Sequence, residues 1–336
     1  MKTKILTLLR ECDEYLSGQE LCHRFGVSRT AIWKVINNLK EEGYEIEAVQ
    51  NKGYKLISCP DIMDAHEMKS RIHTKWAGGK LYYFPETGST NTDAKKYAEQ
   101  GDPHGTLVVA DAQTGGKGRR GRSWQSAPGT TIAMSIVCRP DFMPDKASML
   151  TLVMGLSVAQ AINQVTGLKT SIKWPNDIVV NGKKVCGILT EMSAELDYIQ
   201  YLVIGVGINV NNGFDLPGEE RENTFPEEIR DVASSLYLET GKRISRAELI
   251  TAIMERFEQN YEIFLKTTDL SNLMQDYNGC LANYNKEVRV LDPKGAYEGM
   301  ARGIDHMGNL LVEKSDGTVE QVYSGEVSVR GLYGYV

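Results

Sequence analysis

At 336 residues the chain exceeds the ~100–150 residues of one typical domain, so two or three domains are expected. A hydrophobic share of 41% beside 24% charged residues is that of an ordinary globular protein, and a net charge of −6 excludes coating of nucleic acid or membranes by bulk charge. No run approaches the ~20 apolar residues of a membrane span, and charges interrupt the N-terminal segment where a signal peptide would be apolar. The cysteines Cys12, Cys22, Cys59, Cys138, Cys186 and Cys280 form no CxxC and lie near no His cluster. That pattern predicts reduced thiols in a cytoplasmic protein, with neither a disulfide scaffold nor a zinc site. No residue set identifies metal ligands.

Residues 1–60 read as three helices and a hairpin. Ile5, Leu6, Leu8 and Leu9 make an apolar stripe on the first helix. Ser17 and Glu20 have capping-box spacing, with Ser17 placed to cap the Glu20 amide. The second helix ends at Gly26; Ser28 caps a third that carries Ala31, Ile32, Val35, Ile36 and Leu39 at helical spacing up to Gly43. Residues 44–49 and 54–57 alternate around Asn51, Lys52 and Gly53, which predicts a two-stranded wing. Two helices joined by a tight turn and followed by a wing make a winged helix-turn-helix. Ser28 at the cap, with Arg29, Thr30, Trp33, Lys34 and Asn37 off the apolar stripe, are the expected contacts to phosphates and base edges. The alternative is a small helical interaction domain, which 9 basic against 8 acidic residues over 1–57 favours slightly. Turn, caps and wing together favour DNA.

Cys59, Pro60 and Asp61 read as a linker into a larger α/β unit. Apolar runs predict strands at 81–84, 107–110, 131–137, 178–180, 185–191 and 201–208, and helices at 91–100, 146–165 and 245–265. Strands and helices do not alternate evenly, so a mixed sheet is expected rather than a doubly wound parallel one. From about residue 278 come five short strands, at 288–291, 297–304, 310–313, 319–323 and 327–330, with turns at 293–295, 308–309 and 316–317. Their number in so short a segment predicts an SH3-like β-barrel. The expected class is therefore α+β and multidomain, divided as 1–60, 61–277 and 278–336.

Four segments carry chemistry. Residues 113–124, QTGGKGRRGRSW, contain a formal GxGxxG at Gly116, Gly118 and Gly121. A dinucleotide fingerprint needs a helix immediately after it, whereas Gly129, Thr130, Thr131 and Ile132 lead into a strand. What remains is a flexible glycine loop with the cations Lys117, Arg119, Arg120 and Arg122, suited to phosphate or carboxylate, with Trp124 beside it to stack on a base. A solvated basic loop is the weaker alternative. In the second segment, Pro175 fixes a turn presenting Asn176 and Asp177, and Lys184 follows; for Asn176 a purely structural turn remains open. Ser89, Thr90 and Asn91 precede a helix and could bind a polar ligand or cap it, capping fitting one of the three. The fourth segment, Gly205 to Asn209, allows close backbone approach.

In order and spacing these segments resemble the biotin–protein ligase family, in its bifunctional class that is also the biotin operon repressor, over essentially the whole chain. Lys117 is a departure, since many members carry arginine there, and it puts the tightness of loop closure in question. The resemblance implies that Ser89, Thr90, Asn91 and Gln113 bind biotin's ureido ring, that Lys117, Gly118 and Arg119 hold its carboxylate end, and that Lys184 neutralises carboxylate and α-phosphate. Arg122, Trp124, Asn176 and Asn209 would bind the nucleotide, and Arg119, Asp177 and Lys184 would be catalytic. It further implies ATP and biotin as substrates, Mg²⁺ with the ATP, a biotin carboxyl carrier domain of acetyl-CoA carboxylase or another carboxylase as acceptor, operator DNA, and a homodimer when adenylate-bound. A central sheet like that of class II aminoacyl-tRNA synthetases follows by analogy alone. The alternatives are a biotin sensor with degenerate enzyme activity, against which intact Arg119, Asp177 and Lys184 argue, and a lipoate-type acyl ligase.

Overall fold

The computed structural model describes residues 1–214, 224–292, 295–323, 328–331 and 335–336. The chain forms two compact units, Met1–Ile72 with Ser245–Thr251, and His73–Ile244 with Ala252–Val336.

In the first unit α1 (Lys2–Glu11), α2 (Gly18–Phe25) and α3 (Arg29–Glu41) precede an antiparallel hairpin of β1 (Glu45–Val49) and β2 (Gly53–Ser58). Ile5, Leu6 and Leu9 of α1 pack with Leu21, Ile32, Ile36 and Leu39, so the apolar stripes read from periodicity are the core. Ser28 caps α3 through the Ala31 amide at 3.3 Å, as its position requires. The Ser17 cap differs from the capping-box expectation. With α2 starting at Gly18, its hydroxyl accepts from the Gln19 amide at 3.2 Å, not from Glu20. Gly53 has φ +122 and crosses the Leu16 main chain, where an added Cβ would come within 2.0 Å of the Leu16 carbonyl oxygen. Only glycine fits that crossing. A short helix that periodicity did not predict, α4 (Ala65–Arg71), is capped by Asp64 on the Glu67 amide at 2.7 Å.

The second unit is built on an eight-stranded sheet. Its strands are β3 (Leu81–Thr87), β4 (Leu107–Lys117), β5 (Ser123–Ser126), β6 (Thr131–Cys138), β7 (Ser171–Lys173), β8 (Asp177–Val180), β9 (Lys183–Ala194) and β10 (Ile199–Asn209). The order is β3-β4-β6-β10-β9-β8-β7, with β5 paired to β4. Only β3 and β4 run parallel, so the sheet is mixed, as the uneven interleaving of elements predicts. Helix α5 (Thr90–Glu99) follows β3, and α6 (Met149–Thr166) follows β6. The segment Pro144–Thr166 corrects one expectation, being long and apolar enough to cross a membrane at a mean hydropathy of 1.3. Burial of 67% of its most apolar window makes it a core helix here.

After β10 come the short helices α7 (Glu227–Arg230) and α8 (Leu236–Thr240), then α9 (Arg246–Leu265) and α10 (Met274–Cys280). The C-terminal strands β11 (Glu287–Leu291), β12 (Tyr297–Ile304), β13 (Leu310–Glu313), β14 (Val319–Val322) and β15 (Ser328–Gly331) form one antiparallel sheet in the order β14-β13-β12-β11-β15. Pro293 and Lys294 of one predicted turn, and Val327 at the start of the last predicted strand, lie outside the described residues.

Candidate active site

The four chemistry-bearing segments converge on one cleft over the middle of the eight-stranded sheet. The N-terminus of α5 supplies Ser89, Thr90 and Asn91; the end of β4 and the turn after it supply Gln113, Lys117, Gly118 and Arg119. Trp124, Met134, Asn176, Lys184, Gly187, Ile188, Leu189, Gly205, Val206 and Gly207 complete the lining. Residues 113–117, expected as part of a flexible loop, instead extend β4, and Gly116 pairs with Trp124 of β5. The loop is thus a hairpin whose tip is the turn Arg119–Gly121, with Arg120 at φ +58.

The two glycines of β10 define the slot. Alternate strand residues share a face, so Gly205 and Gly207 open the sheet on one side at successive positions. A Cβ on Gly205 would sit 2.1 Å from Asn91 Oδ1, and one on Gly207 would sit 2.5 Å from the Trp124 ring. The sheet thereby admits one amide and one indole. The Trp124 Nε1–H is buried without a hydrogen-bond partner among the described residues. With the indole in place the enclosed space is about 60 Å³, well below the ~300 Å³ of an ordinary small-molecule cleft.

At one end of the cleft is a fixed polar cradle. Of Ser89, Thr90 and Asn91 none caps α5 through its own side chain; the Gln113 Oε1 accepts from the Thr90 amide at 2.8 Å and from its hydroxyl at 3.1 Å. The Ser135 hydroxyl lies 2.8 Å from Thr90 Oγ1 and 2.6 Å from Asn91 Oδ1, and its one proton serves one of them at a time. Asn91 Nδ2 donates to Glu191 Oε2 at 2.7 Å, and Lys95 Nζ holds the other Glu191 oxygen at 2.5 Å. Burial is the largest single influence on the Glu191 carboxyl and opposes ionisation. The Lys95 and Asn91 contacts together outweigh it and hold the group below its ordinary value.

The other end is charged. Lys184 Nζ lies 2.6 Å from Asp177 Oδ1. Arg119 Nη1 donates to Asn176 Oδ1 at 2.9 Å, while Asn176 Nδ2 donates to the Ile188 carbonyl at 3.0 Å. Burial lowers the affinity of the Arg119 guanidinium for its proton, and Asp177 partly restores it. Trp174, joined to Pro175 by a cis peptide bond, donates from Nε1 to the Gly308 carbonyl at 3.0 Å and so ties this turn to the C-terminal sheet. Three expected site residues stand apart from the lining, the catalytic candidate Asp177 among them. Arg122 is exposed, and Asn209 is buried with Nδ2 on the Ser234 carbonyl at 3.0 Å.

Sequence models of the biotin/lipoate A/B protein ligase family, an HTH domain and the biotin protein ligase C terminal domain match residues 83–209, 2–55 and 284–330. The chain is 40% identical over 319 residues to the bifunctional ligase/repressor BirA of Bacillus subtilis (strain 168), with 94% of each chain covered. It belongs to the biotin protein ligase family. Identity to the bifunctional ligase/repressor BirA of Escherichia coli (strain K12) is 28%, over 97% of this chain and 96% of that one. Among solved structures, biotin protein ligase from Aquifex aeolicus in complex with biotin and ATP superimposes with a TM-score of 0.64 at 32% identity, over 75% of this chain and 99% of that one. Ser135 and Lys95, which help hold the cradle, were missed by sequence reasoning, and Glu191, at the end of the run that follows Lys184, was given no role. The available signal was a polar residue inside an apolar strand run, Ser135 at a wholly buried position of β6.

On the first unit, Ser28, Arg29, Thr30, Trp33 and Lys34 are exposed along α3 and Asn37 is half-buried, while Ile32, Ile36 and Leu39 face inward. The helix thus presents one polar face with a half-exposed indole.

Proposed function

We propose that this chain is a biotin–protein ligase that activates biotin with ATP as biotinyl-5′-AMP and transfers the biotinyl group to a lysine of a biotin carboxyl carrier domain, such as that of acetyl-CoA carboxylase. The observation that carries this is one cleft with an amide-and-hydroxyl cradle at one end and Arg119 and Lys184 at the other, with Asp177 outside the lining and 2.6 Å from Lys184. Ser89, Thr90, Asn91 and Gln113 match the donors and acceptor of a ureido ring. Lys117, Gly118, Arg119 and Lys184 meet the carboxylate. Trp124, Asn176, Arg122 and Asn209 serve the nucleotide, Arg122 after rearrangement of the hairpin and Asn209 on giving up the Ser234 carbonyl. A biotin carboxylate oxygen attacks the α-phosphorus and pyrophosphate leaves; cations placed where charge develops lower that barrier. The acceptor amine then attacks the mixed-anhydride carbonyl, AMP leaves, and the amine gives up a proton, for which Asp177 is the candidate acceptor. Among the described residues no group of three or more His, Cys, Asp or Glu could hold a metal ion, so Mg²⁺ would arrive on the ATP phosphates. The decisive assay is pyrophosphate release with biotin and ATP, followed by labelling of a purified carrier domain. No release would leave a biotin sensor; activity with lipoate and none with biotin would make it a lipoate ligase.

Domains at 1–60, 61–277 and 278–336, an SH3-like C-terminal barrel, a class II synthetase-like central sheet and a cytoplasmic location complete the proposal. Arg119 links the hairpin tip to Asn176, and the same guanidinium is the natural clasp on an adenylate. Arg119→Gly is expected to release biotinyl-AMP roughly ten- to a hundredfold faster, the worth of one charge-assisted hydrogen bond, and to label bystander albumin. Wild-type release with no stray labelling would remove Arg119 from this role.

The winged helix-turn-helix would bind the operator of biotin genes as a homodimer, because a domain of almost no net charge gains little from phosphate neutralisation as a monomer. Biotin with ATP should therefore raise dimer fraction and operator affinity together. Arg29→Ala or Lys34→Ala should weaken operator binding at least tenfold in gel shifts and leave biotinylation intact. Operator binding indifferent to biotin and ATP would count against the repressor half.

A further inference from the structure

We propose that Tyr335 is a positioning residue for the transfer half of the reaction: it holds the Asp177 carboxylate so that the acceptor amine can use it. The inference rests on the reading of Asp177 given above. Its motivation is a juxtaposition that crosses 158 positions of sequence. The Tyr335 hydroxyl donates to Asp177 Oδ2 at 2.6 Å, and its ring lies 3.2 Å beneath Lys173 Nζ. Lys173 and Asp177 are cross-strand partners of β7 and β8, flanking the turn through Trp174, Pro175 and Asn176. A single side chain thus bridges both ends of that turn.

The two oxygens of Asp177 are divided. Oδ2 accepts the Tyr335 hydrogen bond, and Oδ1 is ion-paired with Lys184 Nζ at 2.6 Å without hydrogen-bond geometry. A carboxylate with both oxygens engaged is a poor base. Lys184 is a flexible ammonium with a competing task, since the incoming carboxylate and phosphate attract it. When it turns to them, Oδ1 is opened toward the position that Lys184 leaves, while Tyr335 keeps Oδ2 and so fixes the plane of the group. Without the phenol the carboxylate could rotate about its last torsion, which is broad for an sp³–sp² bond, and the base would be aimed at the amine only part of the time. The cation–π contact of the ring with the Lys173 ammonium keeps the phenol in place, and Lys173 is itself buried.

The test separates the two half-reactions. Tyr335→Phe keeps the ring over Lys173 and deletes the hydrogen bond; Tyr335→Ala deletes both. Supply purified biotinyl-5′-AMP and vary the carrier domain; separately, measure pyrophosphate release with biotin and ATP. Tyr335→Phe should lower kcat for transfer on the order of tenfold, with acceptor KM and adenylation within about twofold of wild type. Tyr335→Ala should transfer no faster than Tyr335→Phe. In an Asp177→Asn background Tyr335→Phe should have no further effect, because the group it aims is already disabled. Wild-type transfer by Tyr335→Phe overturns the proposal, as does equal loss of both half-reactions or an undiminished effect in the Asp177→Asn background. Unimpaired transfer by Asp177→Asn alone would overturn the reading of Asp177 and this inference with it. Slow Asp177→Asn beside normal Tyr335→Phe overturns the inference only.

Discussion

Lys184→Ala should cut adenylation by roughly a hundred- to a thousandfold, the scale on which a single preorganised charge acts on a developing anion. Bringing a biotin carboxylate onto the ATP α-phosphate joins two anions, and Lys184 is an ammonium that both lines the cleft and lies 2.6 Å from Asp177 Oδ1. Its removal also leaves the Asp177 charge without that partner, an added repulsion against the entering anions. Transfer from supplied biotinyl-AMP should fall far less, since its phosphate chemistry is already done. Asp177→Asn should show the converse pattern. The acceptor amine has an intrinsic pKa of ~10.4 and must lose a proton, and loss of a positioned base costs about a hundredfold or more. Pyrophosphate release and carrier labelling, measured apart, decide. Loss of adenylation in Asp177→Asn with transfer from supplied adenylate retained would reverse the division of labour.

The sheet's mixed character and the cleft-forming segments were legible in the sequence because each left a local mark: glycines at alternate positions of a strand, cations clustered beside glycine, a proline-fixed turn. What was not legible depends on distance in sequence. Gln113 capping the first turn of α5 through Thr90 is a contact between segments that periodicity cannot report, and it displaced the expected local cap. The Ser17 case is smaller but of the same kind, since one residue of difference in the helix start moves the accepted amide from Glu20 to Gln19. Residues 113–117 were expected as loop because glycine signals flexibility, yet pairing of Gly116 with Trp124 makes them strand. A Cβ there would lie 2.5 Å from the Trp124 carbonyl oxygen, so the glycine is present for close approach. The short helix α4 escaped notice because its seven residues give barely two turns of pattern.

That helix carries the prediction with the largest expected effect on stability. Glu67 is wholly buried, yet its carboxylate is met on every side: Arg10 Nη2 lies 2.5 Å from both oxygens, Arg71 Nε donates to Oε1 at 2.7 Å, and the Tyr44 hydroxyl donates to Oε2 at 2.6 Å. One side chain thereby gathers α1, α4 and the start of the hairpin, all within the first compact unit. Glu67→Ala removes the anion and leaves two guanidinium groups, only 14% and 15% exposed, without it, Arg71 keeping Glu248 at 4.0 Å. Breaking a buried ion pair by deleting one partner typically costs 3–5 kcal/mol, most of it the desolvated charge left behind. Glu67→Gln keeps the shape and one acceptor and should lose less, whereas replacing all three charges with apolar residues of similar volume should recover much of the loss. Hydrogen exchange of the α1 and α3 amides measures it directly, because the full chain need not unfold as one. Burial first, and then the bond to Glu67, pushes the Tyr44 phenol above its ordinary value, so in Glu67→Ala it should titrate part of the way back down. A loss below about 1 kcal/mol in the first unit, with Tyr44 unmoved, would mean that the cluster is neutral to stability and that the apolar stripes hold the unit by themselves.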